Sequence, residues 1–130
     1  ADFGGQVHLV GVDVERVPAD AGGGPRTLRL TLHWQALATM NTSYAVFAQI
    51  LGPAGTVRAQ ADALPRSGGY PTTWWLPGEV VSDEMALALP EGFNAGGFRL
   101  IVGLYDPATG ERLPVSGTGR DFVEVELAAP

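Results

Sequence analysis

From Thr27 to Gln35 the chain alternates with a strict period of two: Leu28, Leu30, Leu32 and Trp34 are separated by Arg29, Thr31, His33 and Gln35. Side chains on an extended strand point to opposite faces in turn, so this segment has one dry face and one wet face. A strand of this kind is stable only when its dry face is covered by another layer, and the rest of the chain has to supply that layer.

The remaining segments answer in the same period. Gln6 to Glu15 alternates with a slip at Gly11, with Val7 and Leu9 on one face and Val12 and Val14 on the other. That reads as a strand with a bulge, or as one that crosses between sheets. Tyr44 to Leu51 is almost wholly apolar, as in a strand buried on both sides. Only Gly52-Pro53-Ala54-Gly55 separates it from Thr56 to Ala61, which predicts an antiparallel hairpin. Glu79 to Leu89 places Val81, Met85, Leu87 and Leu89 on one parity with Asp83 breaking it, which predicts a bend there.

Gly97 to Tyr105 turns Phe98, Leu100, Val102 and Leu104 inward, and Asp106-Pro107-Ala108-Thr109-Gly110 has the residues of a tight turn. Leu113 to Val115 is expected as its short partner strand, and Arg120 to Leu127 as the last strand. Pro18 to Pro25, Leu64 to Pro77 and Pro90 to Gly96 read as loops. No segment keeps a helical period. The expectation is an all-β, two-sheet antiparallel β-sandwich of seven to nine strands, immunoglobulin-like or jelly-roll-like, formed as one domain over residues 1–130.

Composition narrows the function. A net charge of -6, with 8 basic residues that are all arginine and dispersed, is the wrong electrostatics for a phosphate backbone, so no nucleic-acid partner is expected. With 0 cysteines the chain has no thiolate nucleophile and no thiolate metal ligand. No stretch has the roughly 20 apolar residues that span a bilayer, so no direct membrane insertion is expected.

Catalytic patterns are sparse. His8 and His33 lack the spacing of a metal motif, and they can share an ion only if their strands are neighbours. There is no G-x-S-x-G elbow, and nothing in the spacing of Ser43, Ser67, Ser82 and Ser116 selects one to meet a histidine. Asp83-Glu84 and Glu124-x-Glu126 read as strand-surface acids before they read as a glycosidase pair. Acidic loops in β-sandwiches can hold calcium through Asp and backbone carbonyls, but no D-x-D-x-D run marks one here. No catalytic residue, metal or cofactor is expected.

One local feature looks like a binding site. Tyr70, Trp74 and Trp75 fall close together in a loop rich in Gly and Pro, where aromatic faces can stack on sugar rings. The competing expectation is that the loop uses a tryptophan to plug the open end of the sandwich. Adjacent residues in an extended chain cannot both point the same way.

Several motifs recur in a familiar order: F-G-G-Q-V-x-L-V-G at Phe3 to Gly11, L-x-L-T-L-x-W-Q-A at Leu28 to Ala36, V-F-A-Q-I-L at Val46 to Leu51, Y-P-T-T-W-W-L-P-G-E-V-V-S-D-E at Tyr70 to Glu84, and F-R-L-I-V-G-L-Y-D-P-A-T-G-E-R-L-P-V at Phe98 to Val115. The series resembles the β-sandwich domain that follows the membrane region of bacterial glycosyltransferases of the dolichyl-phosphate-mannose protein mannosyltransferase type. The resemblance implies a non-catalytic accessory domain excised from a larger membrane protein and lying on the extracytoplasmic face. Its expected partners are a glycan or the parent membrane domain, and it carries no catalytic residue onto this chain. A free-standing carbohydrate-binding module using the aromatic loop is the alternative, and an acid-pair hydrolase is the third reading.

Overall fold

The computed structural model describes residues 1–17, 26–94 and 96–127. The loop expected over Pro18 to Pro25, Ala95 of the turn cluster and the terminal Ala128-Ala129-Pro130 lie outside the described residues. Among the described residues there are eight strands, two short 3-10 turns and no α-helix. The strands are β1 (Asp2–Phe3), β2 (Val7–Val17), β3 (Thr27–Ala36), β4 (Ala45–Leu51), β5 (Val57–Ala63), β6 (Val80–Ala88), β7 (Arg99–Tyr105) and β8 (Val123–Val125). They form two four-stranded antiparallel sheets in the orders β1-β2-β3-β6 and β5-β4-β7-β8, packed as a sandwich.

The alternation of β3 sets its burial: Leu28, Leu30, Leu32 and Trp34 are all fully buried, between β2 and β6. Phe98, Leu100, Val102 and Leu104 face them from the second sheet, together with Val46, Ala48 and Ile50 of the central strand β4. The hairpin predicted at Gly52 to Gly55 joins β4 to β5. At the Asp106 turn, the Asp106 carboxylate accepts the Ala108 N–H at 2.9 Å, and Gly110 takes the left-handed conformation that closes it.

Four expectations are corrected. The slip in β2 is a bulge at Val10, the first of the two readings, since Leu9 pairs with Trp34 and Gly11 with His33, but the faces assigned to Val12 and Val14 are wrong. The extra residue restores the parity, so Val12 and Val14 pack on the same core as Val7 and Leu9. No bend occurs at Asp83: β6 pairs with β3 without interruption from Val80 to Ala88, and the carboxylate enters the interior. Leu113 to Val115 does not form a strand. Pro114 lacks the N–H a ladder needs, and only isolated bridges from Arg112 to Tyr105 and from Val115 to Phe3 and Arg120 remain. The last strand is cut to Val123–Val125. β1 gave no alternation to read, yet its Phe3 is fully buried and meets the Trp34 ring edge-on at 5.6 Å.

A second apolar contact lies on the outer face of the second sheet. Phe47 alternates with the core residues Val46 and Ala48, so its ring points away from the first sheet. It is nevertheless buried, because the Arg112 guanidinium lies 4.1 Å from the ring centroid. The ring crosses β7 at Gly103, where a Cβ would stand 2.5 Å from its tip.

Candidate functional site

The aromatic loop is the crossover from β5 in the second sheet to β6 in the first, and it carries both 3-10 turns, Pro65–Gly68 and Thr72–Trp74. Thr72 fixes it to the segment leading into β4. Its buried hydroxyl donates to the Thr42 carbonyl at 2.8 Å and accepts the Tyr44 N–H at 3.0 Å. Beyond it the two adjacent tryptophans diverge, as the geometry of neighbouring residues requires. Trp75 is 1% exposed, joins the core, and donates its indole N–H to the Tyr70 carbonyl at 2.9 Å. Trp74 is 62% exposed, with its ring edge-on to Tyr70 at 6.4 Å.

Tyr70 is held from the other side. Its hydroxyl donates to Glu79 at 2.6 Å, and the second oxygen of that carboxylate accepts the Leu76 N–H at 3.0 Å. The Leu76 N–H first, and then the Tyr70 hydroxyl, hold the Glu79 carboxyl below its ordinary range. The same hydrogen bond to Glu79 raises the Tyr70 phenol. Of the three aromatics read together as a ligand face, the structure leaves Trp74 displayed, Tyr70 half-buried as its brace and Trp75 inside, out of reach of any ligand.

The outer face of the first sheet holds a constellation that sequence spacing did not single out. His33 on β3 stands directly opposite Ser82 on β6, and Asp13 lies on the other neighbour, β2. Asp13 Oδ2 is 2.8 Å from His33 Nε2, and Ser82 Oγ is 2.8 Å from His33 Nδ1. A carboxylate only accepts, so in the neutral imidazole Nε2 carries the proton and Nδ1 accepts from the serine hydroxyl. These are the groups of an acyl-transfer triad in the right order. Two features weigh against that chemistry. The Asp13 side chain is 78% exposed, so it stabilises an imidazolium far less than a buried carboxylate does, and the site is an open sheet face from which water is not excluded.

His8 does lie on the strand beside His33, but both ring nitrogens of His33 are engaged. Among the described residues no group of three or more His, Asp or Glu is placed to hold a metal.

The serine borders an open depression of about 480 Å3, which Asp83 and Arg66 also line. Asp83 is 3% exposed and accepts the Arg66 N–H at 2.7 Å through Oδ1, while its Oδ2 is buried without a hydrogen-bond partner. The accepted N–H belongs to a strained turn, since Arg66 and Ser67 both adopt positive φ, at 53° and 55°. The Arg66 side chain adds a second tie, from Nε to the Ser82 carbonyl at 2.9 Å. Asp83 and Glu84 alternate along β6 and face opposite sides, so they are not a glycosidase pair. Glu124 is paired instead with Arg99 at 2.8 Å.

Burial pushes the Asp83 carboxyl above its ordinary range, against the smaller lowering effect of the Arg66 N–H. Between the ordinary carboxylate pKa and the raised one, the folded chain keeps a proton that the unfolded chain has lost. This group therefore lowers stability as pH rises through that window. Glu79 has the opposite sign: its contribution is present above the ordinary pKa and is lost as pH falls through the depressed one.

Asp83→Asn keeps an oxygen for the Arg66 N–H and cannot ionise, so it is expected to remove the Asp83 component and match or exceed the parent's stability at neutral pH. Asp83→Ala strands the N–H and is expected to lose about 1–3 kcal/mol. Urea unfolding of the three proteins from about pH 4 to about pH 8 checks both, the range being set by ordinary carboxylate titration. A parent whose difference from Asp83→Asn does not vary with pH would contradict this account.

No family model and no curated protein matches this sequence. Among solved structures, the chain is similar to part of a beta-glucuronidase from glycoside hydrolase family 2, with a TM-score of 0.60 at 11% identity. The match covers 91% of this chain and 12% of that chain. At this identity the likeness speaks for the sandwich fold alone.

Proposed function

We propose that the chain is a non-catalytic accessory sandwich of a larger carbohydrate-active protein, and that it contacts glycan through Trp74. The observation that carries this reading is a tryptophan 62% exposed and set edge-on to Tyr70, whose hydroxyl is bonded to Glu79 and whose carbonyl accepts from the buried Trp75. A displayed indole braced by a neighbouring ring offers a sugar an apolar face to stack on. The similar fold occupies 12% of a beta-glucuronidase chain, so a sandwich of this kind can form a minor part of a longer protein.

The motif series that resembles the tail domain of protein mannosyltransferase-type enzymes favours a membrane glycosyltransferase as the parent. In that setting the domain sits on the extracytoplasmic face and positions glycan or acceptor. The Asp13–His33–Ser82 chain then serves as a polar tie across three strands.

Calorimetric titration with a panel of oligosaccharides is expected to show binding for the parent and at least about tenfold weaker binding for Trp74→Ala, the scale of one lost stacking contact. Neither protein is expected to hydrolyse aryl glycosides or aryl esters above the buffer rate. Silence across the panel, or turnover abolished by Ser82→Ala, defeats the reading.

A further inference from the structure

The outer face of the second sheet carries a depression that neither the aromatic loop nor the polar tie uses. Its volume is about 210 Å3, and its lining is Phe47, Gln49, Asp62, Tyr105, Gly110 and Arg112. The polar groups there are planar or hydroxylic. The Arg112 guanidinium lies 4.1 Å from the Phe47 ring centroid and 3.4 Å from Asp121, and the Tyr105 ring packs against Phe47 with centroids 6.2 Å apart. Gln49 stands on β4 beside Phe47, whose partner across the β4–β5 ladder is Asp62.

We propose that this depression binds one unit of a neutral sugar, in a site separate from Trp74. An amide, a carboxylate, a guanidinium edge and a phenol around a small hollow alternate donors with acceptors, which is what adjacent hydroxyls on one ring require. The apolar ring in the lining, Phe47, is covered by Arg112, which disfavours a hydrophobic ligand. Arg112 is opposed by Asp121 and by Asp62 across the hollow, so no excess positive charge selects an anion. The hollow is smaller than the roughly 300–1,000 Å3 of drug-sized sites, which limits the occupant to a single ring. Arg112 also lines a second hollow of about 200 Å3 with Tyr44 and Glu111, which leaves room for a neighbouring unit.

The inference rests on the glycan-contact reading but not on Trp74, and the test keeps the two apart. Methyl glucoside, methyl galactoside and methyl mannoside are titrated into isotope-labelled protein, with inorganic phosphate and glucuronate as charged controls, and the backbone and side-chain amide shifts are followed. At least one neutral glycoside is expected to move Gln49, Gly110 and Arg112. Gln49→Ala and Asp62→Ala should each weaken that response by about tenfold, the scale of one charge-assisted or bidentate contact, while Trp74→Ala leaves it unchanged. Asp62 is exposed, and Gln49→Ala serves as the second variant should Asp62→Ala fail to fold.

Shifts confined to the Trp74 loop would overturn this site and leave the proposed function standing. Preference for phosphate or glucuronate at these amides would also overturn it. No shift anywhere with any glycoside would remove both.

Discussion

Trp75→Ala is expected to cost about 3–5 kcal/mol, the range for deleting a buried Trp or Phe side chain, while Trp74→Ala, one residue earlier, costs less than about 1 kcal/mol. The asymmetry follows from exposures of 1% at Trp75 and 62% at Trp74. Trp75 fills the end of the space between the sheets, and its indole N–H holds the Tyr70 carbonyl, so its loss opens a cavity and frees the base on which Trp74 stands. Urea unfolding of the two single variants measures the difference. Equal losses at both positions would mean that the loop does not plug the core through Trp75.

The second large effect is expected at Gly103. A methyl group there would stand 2.5 Å from two ring atoms of Phe47 and 3.1 Å from the Asp121 carbonyl, well inside contact distance. The ring has little room to retreat, because Arg112 lies over it at 4.1 Å. Gly103→Ala should therefore lose about 1–3 kcal/mol as an overpacked site, and Gly103→Val more. Because the displaced ring carries Arg112 with it, the amide shifts of Arg112 and Gly110 should change as well. Gly103→Ala combined with Phe47→Leu should recover part of the loss, and a double variant no better than the sum of the singles would rule out this contact as the cause.

Much of the architecture was open to reading because burial on a sandwich strand repeats every second residue. Leu28 to Trp34 and Phe98 to Leu104 needed no knowledge of their partners, and the Gly52 to Gly55 turn fixed one pairing locally. What could not be read depended on partners far away in sequence. A polar Asp83 amid the apolar parity of β6 reads locally as a change in backbone direction; only the Arg66 N–H, supplied by a strained turn, lets a carboxylate sit at an inward position. His33 and Ser82 meet because β3 pairs with β6 in one particular register, a relation no local spacing encodes.

Val12 and Val14 looked outward for a related reason. A bulge adds a residue without leaving a mark other than the nearby glycine. At the aromatic loop the sequence required that Trp74 and Trp75 diverge, but not which one would be covered.

The connection from Leu64 to Pro77 has a consequence for assembly. It carries the chain from β5 to β6, and so from one sheet to the other, between strands whose partners lie elsewhere: β6 belongs beside β3, and β4 beside β7. Neither layer is complete on one side of that connection, so neither half of the polypeptide holds a finished unit. Cleaving the backbone there should yield two fragments that are unfolded apart and regain a common structure only when mixed, with the display of Trp74 returning as a product of their reunion.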